Sequence, residues 1–590
     1  MKHSILFLAI LWLTPFYNLA QETILPKWLT ESEREEVPFY THPQSNRGIT
    51  DLPQGSEIRT PGEWEEMQAV VISWTSFPSI HRQLVSHIQK ECEVWIVTPD
   101  SNSVKNNITS NGGNLTNVKF IHAPVNSIWV RDYGPNSVYL AGVDSLVLVD
   151  WIYNRPRLAD NAVPDSVGNQ MGIPVYSSSL APNDLVHTGG NFMADGFGIG
   201  FSSLLVDDEN DGSDFSQQAK TSAEVDELMR KYMGIDTYIK MPTLPYDDIH
   251  HIDMHMKLLD EETLLIGEFP QGVSDGPQLE LNIQYIRDNY LSVFGTPYKI
   301  IRIPMVPSNN GNYPSGSWGE PYYRTYANNL IVNKTVIVPV YRAQFDTTGL
   351  RIIRDAMPGY NVVGIDVDNS GANLIAQGGA IHCITKEIAV NDPLLISHQK
   401  LVDTFDDLNP YQVQALIKHK SGIQSAHLFY KLSEAAPYTS IPMTNLASDT
   451  WSALIPAQPV GTEIFYYIEA QSISGKTQVR PIVAPDGYFH FNVLGETTAG
   501  LFDSSPSPFQ PLFPNPSKGL TCIPMDNAHS FTGKLYLIDQ IGREVETIHE
   551  GEFKAGERKY FIDVTNYPSG IYTVILDSKQ GVFTQKLAVQ

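Results

Sequence analysis

The sequence predicts an α/β domain followed by two all-β units. From about Pro61 to Thr404, short apolar strands alternate with amphipathic helices. From about Phe405 to Val493 the helical period is absent, and turns rich in proline, glycine and serine separate strand-like segments. A strand-rich segment closes the chain after a linker. At 590 residues the chain is long enough for three or four such units.

The N-terminus has the pattern of a secretory signal peptide over residues 1–20. Lys2 and His3 precede an apolar run from Ile5 to Leu13, and Ala20 offers a cleavage site. The run is well short of the roughly 20 apolar residues that a spanning helix needs, and no later stretch qualifies. We therefore expect an exported chain without a membrane span, in which residues 21–60 form an N-terminal extension or propeptide.

Strand and helix patterns alternate within the α/β region, residues 61–404. The predicted strands are Met67–Trp74, Glu93–Thr98, Val118–Ala123 and Asn361–Val367, and the predicted helices include Ile80–Lys90 and Asp346–Met357. A capping box from Thr221 to Glu224 opens a further helix that Gly234 ends. The unit recurs, although the sequence shows no clear repeat.

Residues 405–494 have the pattern of an immunoglobulin-like β-sandwich. Their strand-like segments include Phe429–Leu432, Trp451–Ile455 and Glu463–Ala470. Short strands separated by turn residues over about 90 residues are typical of this architecture. The paired cysteines of antibody domains are absent from the sequence.

A linker rich in glycine, threonine, serine and proline, residues 495–511, leads to a small all-β unit, residues 512–590. Its strand-like segments include Leu535–Asp539, Tyr567–Val574 and Gln585–Gln590. This unit resembles the C-terminal sorting domain of the type IX secretion system of Bacteroidetes. The resemblance implies export through the periplasm, a secreted or surface-attached protein, and the type IX machinery as a partner. The alternative is an additional adhesive sandwich.

Charge and cysteine content narrow the classes of function. The chain has 40 Lys and Arg against 65 Asp and Glu, a formal charge of −25, which argues against nucleic acid or an anionic membrane as a partner and suits a cationic substrate. Its cysteines, Cys92, Cys383 and Cys522, are too sparse for a disulfide framework.

Neither metal nor cofactor is predicted. His251 and His255 lack the intervening glutamate of a zinc helix, and the residues that flank them have the pattern of a strand. The acidic stretch Asp207–Gly212 resembles the start of a calcium loop, but Gln218 stands where the bidentate glutamate belongs. We expect a solvated acidic loop there.

The glycine-rich stretch Gly378–Cys383 is the strongest candidate for a chemical site. Glycine permits backbone conformations with φ > 0 and a close approach of substrate, so a strand end there can present the Cys383 thiol as a nucleophile. A buried structural cysteine after a turn is the alternative.

Several motifs in order resemble the Porphyromonas-type peptidyl-arginine deiminases and the related agmatine deiminases over roughly residues 61–404. They are Glu63-Trp64-Glu65, Trp129-Val130-Arg131-Asp132, His187-Thr188-Gly189-Gly190-Asn191, His251-Ile252-Asp253 and Gly378-Gly379-Ala380-Ile381-His382-Cys383. The resemblance implies a pentein, an α/β propeller in which five ββαβ units surround a central pocket.

The resemblance also implies catalytic roles. Asp132 and Asp253 grip the guanidinium nitrogens, Cys383 attacks the central carbon, and His251 protonates the departing ammonia and then activates water. These residue types suit a planar cation that is a poor electrophile, and they need no cofactor. Taken singly, Asp132 could form a turn, Asp253 a cap and His251 part of a core.

Further residues are implied in substrate binding. Trp129 is a flat wall or a core side chain, and Asn191 and Asn328 have supporting roles. Arg155 and Arg157 match an arginine pair that holds the α-carboxylate of a substrate that ends in arginine. The alternative is an exposed loop with two solvated arginines.

The predicted function is that of a secreted peptidyl-arginine deiminase that converts arginine, preferentially at the C-terminus of peptides, to citrulline and ammonia. The second hypothesis is a secreted agmatine deiminase in which Arg155 and Arg157 face away from the pocket. A surface binding protein on a pentein scaffold without turnover is the third, although a binder has no need of an activated thiol.

Overall fold

The computed structural model describes residues 24–41, 48–55, 57–315, 322–494, 507–539, 543–579 and 581–590. The chain divides into two compact units, Met1–Leu494 and Gly495–Gln590. The predicted signal peptide and residues 495–506 of the predicted linker lie outside the described residues. Within the described ranges, none of the helices has the length and apolar character needed to cross a membrane.

The first unit contains the helices expected from the sequence together with others. They are α1 Glu31–Glu36, α2 Pro78–Ile88, α3 Ser101–Ser110, α4 Val130–Tyr133, α5 Val163–Met171, α6 Leu205–Asp208, α7 Ser222–Met233, α8 Gly276–Asn289 and α9 Ala343–Ala356. The expected helices are α2, α7 and α9. The capping box before α7 forms as predicted, since the Thr221 hydroxyl accepts from the Glu224 N–H and the Glu224 carboxylate accepts from the Thr221 N–H. Gly234 ends this helix with a φ of 67°.

Strands alternate with these helices along the α/β region. They are β1 Met67–Ser73, β2 Glu93–Thr98, β3 Val118–His122, β4 Asn136–Leu140, β5 Ser145–Tyr153, β6 Val175–Ser178, β7 Val186–His187, β8 Met193–Ala194, β9 Ile199–Ser203, β10 Thr237–Met241, β11 Met256–Leu258, β12 Thr263–Glu268, β13 Lys299–Pro304, β14 Leu330–Val332, β15 Thr335–Val340, β16 Asn361–Asp366, β17 Asp368–Asn369, β18 Ala372–Asn373 and β19 Lys386–Ala389.

Over the described part of this region, five mixed sheets share one local order. A first strand pairs antiparallel with a central strand, which pairs parallel with a third strand after a helical crossover. The sheet orders are β19-β1-β2-β3, β4-β5-β6, β8-β9-β10, β11-β12-β13 and β14-β15-β16, with crossover helices α2, α5, α7, α8 and α9. Because β19 pairs with β1, the end of the region closes onto its beginning.

The turn that precedes the first strand of each sheet carries a candidate site residue. Asp132 lies on α4 before β4, and Asn191 ends a 3₁₀ turn before β8. Asp253 lies on the 3₁₀ turn Ile252–Met254 before β11, Asn328 lies just before β14, and Cys383 lies on the 3₁₀ turn His382–Ile384 before β19. Equivalent positions in five similar units thus bring these side chains to one place.

Three local expectations were wrong. The acidic stretch Asp207–Gly212 is not a solvated loop, since its first two residues end helix α6 and Asn210 is buried. The sequence predicts strand around His251, but residues 252–254 form a 3₁₀ turn and the strand begins only at Met256. Cys383 lies on a 3₁₀ turn rather than at the end of a strand. Short 3₁₀ turns are common connectors, and here they reverse the chain into the next strand.

Residues 394–493 form two further sheets in the first unit. Their strands are β20 Leu395–Ser397, β21 Tyr411–Lys418, β22 Ile423–Lys431, β23 Thr439–Pro442, β24 Thr444–Ala447, β25 Thr450–Ile455, β26 Glu463–Ser472, β27 Thr477–Arg480 and β28 Phe489–Asn492. One sheet has the order β20-β21-β25-β24 and the other β23-β22-β26-β27, with β28 also paired to β26. Val413, Leu428 and Ile468 belong to one apolar core that both sheets supply. The immunoglobulin-like assignment stays a prediction.

The second unit is all-β, as predicted. Its strands are β29 Leu520–Asn527, β30 Phe531–Ile538, β31 Glu544–Phe553, β32 Gly556–Asp563, β33 Gly570–Ser578 and β34 Gly581–Val589. The strand orders are β29-β32 and β31-β30-β33-β34. Ile523, Leu537, Val574 and Leu587 lie in its apolar core.

Candidate active site

A buried thiol, two carboxylates, an imidazole and a lysine ammonium lie together in the α/β region. Cys383 Sγ is 3.5 Å from Asp253 Oδ2, and Asp132 Oδ1 is 3.4 Å from His251 Nδ1. Lys27 Nζ joins the two pairs, at 2.9 Å from Cys383 Sγ, 3.7 Å from Asp253 Oδ1 and 3.9 Å from Asp132 Oδ1. The structure thus brings the four predicted residues around a cation that the sequence did not predict.

Asn328 orients the turn that carries the thiol. Its Nδ2 donates to Cys383 Sγ at 3.1 Å and to the Asp253 carbonyl at 3.2 Å, while its Oδ1 accepts from the His382 N–H at 3.0 Å. The neighbouring Asn329 instead donates to the Tyr326 carbonyl. Asn328 therefore lies against the candidate nucleophile.

Burial raises the pKa of the Cys383 thiol to about 12, with Asp253 adding to the shift and Lys27 opposing it. The sulfur is therefore a neutral thiol at neutral pH in this state. A nucleophilic thiolate requires more cationic stabilisation than Lys27 supplies.

The two carboxylates are ionised in spite of their burial. Burial acts to raise the pKa of Asp253, but Lys27 and His382 outweigh it and hold this pKa well below its ordinary value. Burial also acts to raise the pKa of Asp132, but Lys27, together with His251, outweighs it and lowers this pKa below its ordinary value. The pair is a binding site for one buried cation.

His382 was missed as a site residue, although it stands next to Cys383 in the glycine-rich motif. Its Nδ1 lies 2.8 Å from Asp253 Oδ2 and its Nε2 lies 2.6 Å from Glu63 Oε1. Glu63 also forms ion pairs with Arg131, at 3.2 Å, and with Lys257. This network holds the Asp253 carboxylate in place. The sequence signal that could have revealed the role of His382 is its neighbour in this network, Glu63, which belongs to the Glu-Trp-Glu motif.

His251 is held by Thr188 on the opposite side from Asp132. The Thr188 hydroxyl lies 3.0 Å from His251 Nε2. Burial and the nearby Lys27 lower the pKa of His251 below its ordinary value. The imidazole is therefore neutral at neutral pH while Lys27 occupies the site.

Gly190 explains the Gly-Gly-Asn motif. Its N–H donates to Asp132 Oδ1 at 3.1 Å, and a Cβ atom at this position would lie only 2.6 Å from His251 Nδ1. Only glycine allows the backbone to approach both side chains this closely. Asn191 has a different contact, since its Oδ1 accepts from the Ser203 N–H at 2.9 Å.

Trp129 lies beside the thiol. The side chain is fully buried, and its Nε1 donates to the Leu25 carbonyl at 3.0 Å. A Cβ atom on Gly379 would be 2.6 Å from the Trp129 ring and 3.0 Å from Cys383 Sγ. The ring therefore borders the space next to the sulfur, and its contact with substrate stays a prediction.

Arg155 and Arg157 are both buried, which excludes the solvated loop. Arg155 Nε donates to the Lys27 carbonyl at 2.9 Å. Arg157 donates to the Pro26 carbonyl at 2.7 Å and to Glu33 Oε1 at 2.7 Å. Both arginines thus bind oxygen atoms of residues 26–33, and a role toward substrate stays a prediction.

His187 of the same motif supports the site from behind. It stacks on Trp151 with a 4.5 Å centroid distance, its Nδ1 accepts from the Thr188 N–H at 2.7 Å, and its Nε2 lies 2.7 Å from Tyr238 Oη. Burial lowers its pKa from 6.5 to about 3. The unfolded chain therefore binds a proton at this position over a pH range in which the folded chain does not.

We expect this histidine to make the folded state sensitive to acid. As the pH is lowered from roughly 6 to roughly 4, the free energy of unfolding should fall more steeply in the wild type than in His187→Gln. The difference between the two slopes should reach up to about 1.4 kcal/mol per pH unit. Denaturant titrations at several pH values, followed by tryptophan fluorescence, measure this difference. Parallel curves for the two proteins would contradict it.

Residues 59–388 match the Porphyromonas-type peptidyl-arginine deiminase family. This match covers more than half of the chain, so the chain belongs to this family of guanidine-modifying deiminases, as its motifs predicted. Residues 511–590 match the secretion system C-terminal sorting domain, which confirms the type IX sorting domain and implies export, to a secreted or surface-attached state.

Curated relatives and solved structures support the same family. A protein of Vibrio parahaemolyticus assigned as an agmatine deiminase is 26% identical over 298 residues, which is 46% of this chain and 78% of that protein. One of Marinomonas sp., with the same assignment, is 22% identical over 375 residues, covering 57% and 95%. A crystal structure assigned as an agmatine deiminase aligns with a TM-score of 0.50 at 20% identity, covering 59% of this chain and 100% of that one. The fold is therefore of the pentein deiminase type.

Proposed function

We propose that this protein is a secreted peptidyl-arginine deiminase that hydrolyses the guanidinium of peptide arginine to citrulline and ammonia. The observation that carries the proposal is a cation held by two buried carboxylates with its nitrogen 2.9 Å from a buried thiol. A guanidinium in place of the Lys27 ammonium would have its nitrogens at Asp132 and Asp253 and its central carbon beside Cys383 Sγ. Fixed carboxylates suit the bidentate recognition of a guanidinium.

In the proposed first step, His251 accepts the proton of the Cys383 thiol, and the resulting thiolate forms a C–S bond to the guanidinium carbon. The substrate cation and the imidazolium newly formed on His251 together supply the stabilisation that the raised thiol pKa demands. One C–N bond then breaks, and His251 in its protonated form donates a proton so that ammonia departs. The product of this step is a thiouronium attached to Cys383.

In the second step, water replaces the sulfur. His251, now neutral, accepts a proton from the attacking water, the new C–O bond forms and the C–S bond breaks. The sulfur takes up the second proton of the water, so that the Cys383 thiol and citrulline are released and His251 is left protonated. His382, through its contact with Asp253, keeps the Asp253 carboxylate aligned with the substrate guanidinium during both steps.

The arginine pair favours a substrate that ends in arginine. Arg155 donates to the carbonyl of Lys27, the residue whose side chain fills the cation site. The α-carboxylate of a C-terminal arginine would lie where this carbonyl lies. Arg157 already binds a carboxylate, that of Glu33. Two buried guanidinium groups suit an anion, whereas agmatine has no carboxylate and brings a second positive charge.

The proposal includes the arrangement of the whole chain. The five sheets form a propeller with the five site turns at its centre, residues 405–494 form an immunoglobulin-like sandwich, and a signal peptide and the type IX machinery export the protein. The common position of the site turns in the five sheets supports the first of these. A secreted deiminase meets peptides that extracellular proteases have cut after arginine.

Agmatine deimination is the second candidate, because the relatives at 22–26% identity carry that assignment. In that case Arg155 and Arg157 serve only to bind residues 26–33. A protein that binds without turnover is the third, and the buried thiol between two carboxylates counts against it.

The test is release of citrulline and ammonia from three substrates: a peptide that ends in arginine, a peptide with internal arginine, and agmatine. Wild type and Lys27→Ala are assayed together, since Lys27 fills the site. Preferred turnover of the first substrate would support the proposal. Preferred turnover of agmatine would overturn the role of Arg155 and Arg157, and no turnover of any substrate by either protein would overturn the enzymatic function.

A further inference from the structure

Resting on this proposed function, we propose that residues 24–40 form a pseudosubstrate strap that keeps the enzyme latent. Lys27 occupies the site of the substrate guanidinium, and its carbonyl and the Glu33 carboxylate occupy the two arginines that would hold the α-carboxylate. Both charges of such a substrate are thus supplied by the chain itself. The strap lies within the extension, residues 21–60, that the sequence places between the signal peptide and the α/β region.

The cationic end of the strap fills the reaction site. Lys27 is fully buried, and its ammonium contacts Cys383, Asp132 and Asp253. An ammonium has the charge that the carboxylates bind but no electrophilic carbon for the thiol to attack. Lys27 therefore satisfies the binding site without being consumed.

The anionic end of the strap fills the arginine site. Glu33 accepts from Arg157 Nε at 2.7 Å and from Arg157 Nη2 at 3.2 Å, the bidentate geometry expected for a carboxylate ligand. The capping box of α1 orients it, because Thr30 N–H donates to Glu33 Oε2 at 2.8 Å. The carboxylate is thus held toward Arg157.

The backbone of Lys27 and of the two residues before it is bound as a peptide substrate would be. The Lys27 N–H donates to the Gln377 carbonyl at 2.7 Å, and the Lys27 carbonyl accepts from Arg155 Nε at 2.9 Å. The carbonyls of Leu25 and Pro26 accept from Trp129 and Arg157. These contacts mark binding positions for the reacting residue and for the two residues that precede it.

An apolar anchor holds the distal part of the strap. Val37 is 3% exposed and belongs to a small core with Ile152, Val186 and Phe215, and its carbonyl accepts from the Phe215 N–H at 3.0 Å. This anchor lies outside the cation site and raises the effective concentration of Lys27 there. Substrate can enter only after the strap has been displaced or cut.

Labelling of Cys383 by chloroacetamidine, a small cationic amidine that alkylates thiols, tests this proposal in the full chain. We expect Lys27→Ala to be labelled at least about tenfold faster than the wild type, because the carboxylate pair is then free to bind the probe. Arg34→Ala, which removes an exposed cation from the same strap, should be labelled at the wild-type rate. Peptide mass spectrometry separates Cys383 from Cys92 and Cys522.

A second pair of variants and a peptide test the strap independently of the folding of Lys27→Ala. Glu33→Gln should increase labelling relative to Glu35→Gln, its exposed neighbour on α1. A synthetic peptide of residues 24–40 should slow the labelling of Lys27→Ala, and the same peptide with alanine for Lys27 should not.

The outcomes separate the strap from the proposed function. Equal labelling and equal citrulline release by wild type and Lys27→Ala would overturn the strap and leave the deiminase function standing. Faster labelling of Lys27→Ala without citrulline from any substrate would support the strap as an occupant of the site and overturn the deiminase function.

Discussion

Replacement of Cys383 by alanine is expected to abolish citrulline release, with a fall in kcat on the order of 10⁴ or more. The buried sulfur lies 2.9 Å from the cation site and is the proposed atom that bonds to the guanidinium carbon. The assay uses Lys27→Ala as the parent protein, so that occupancy of the site by Lys27 does not mask the effect. Citrulline is measured under saturating peptide.

Cys92→Ala is the matched control for this substitution. Cys92 is a free cysteine whose pKa is also raised by burial, and its Sγ faces the Glu93 carbonyl. The Cys92→Ala variant should retain full activity. Citrulline release by Cys383→Ala at a rate comparable to that of the control would refute the nucleophilic role of Cys383.

Asp253→Asn is expected to have the next largest effect, a fall in kcat/KM on the order of 10² to 10³, because it leaves a buried cation without its charged partner. Asp253 lies within 3.5 Å of Cys383 Sγ and 2.8 Å of His382 Nδ1, so the substitution also loosens the alignment of the thiol. Asp132→Asn should act in the same direction. Steady-state kinetics with the arginine-ended peptide measure both effects.

Asp355→Asn, which removes an exposed carboxylate on α9, is the control for these variants. It should leave kcat/KM within error of the parent protein. If Asp253→Asn and Asp132→Asn both behaved like the control, the cation site would have to lie elsewhere.

The sequence predicted most of the secondary structure and the four proposed chemical residues. Local patterns were sufficient for this. The capping box at Thr221 and the stop at Gly234 depend on neighbours within a few residues, and the helix predicted from Ile80 appears as Pro78–Ile88. The motifs that contain Asp132 and Cys383 were visible because they combine a polar or rare residue with tryptophan or glycine, whereas His251 and Asp253 stand in a short motif that was recognised by its order among the others.

Contacts between distant parts of the chain could not be predicted in this way. Lys27 stands 356 residues before Cys383, and nothing in its neighbourhood distinguishes it from a surface lysine. His382 and Glu63 are 319 residues apart, and each belonged to a recognised motif without an assigned partner. Such pairs form only when the five sheets bring their site turns together.

For Arg155 and Arg157 the sequence predicted the kind of ligand but not the residue that supplies it in the structure. The sequence predicted that both hold the α-carboxylate of a substrate, which stays a prediction. In the structure Arg157 binds the carboxylate of Glu33, whereas Arg155 binds the carbonyls of Lys27 and Asn154. The chemistry of the ligand was therefore predictable, whereas its source within the same chain was not.

The most direct test of covalent catalysis by Cys383 is mass spectrometry of Lys27→Ala that has been quenched with acid during turnover of an arginine-ended peptide. We expect the peptide that contains Cys383 to carry the mass of the substrate less ammonia at early times, and to lose it as citrulline accumulates. Citrulline that accumulates while Cys383 remains unmodified at every quench time would contradict this mechanism.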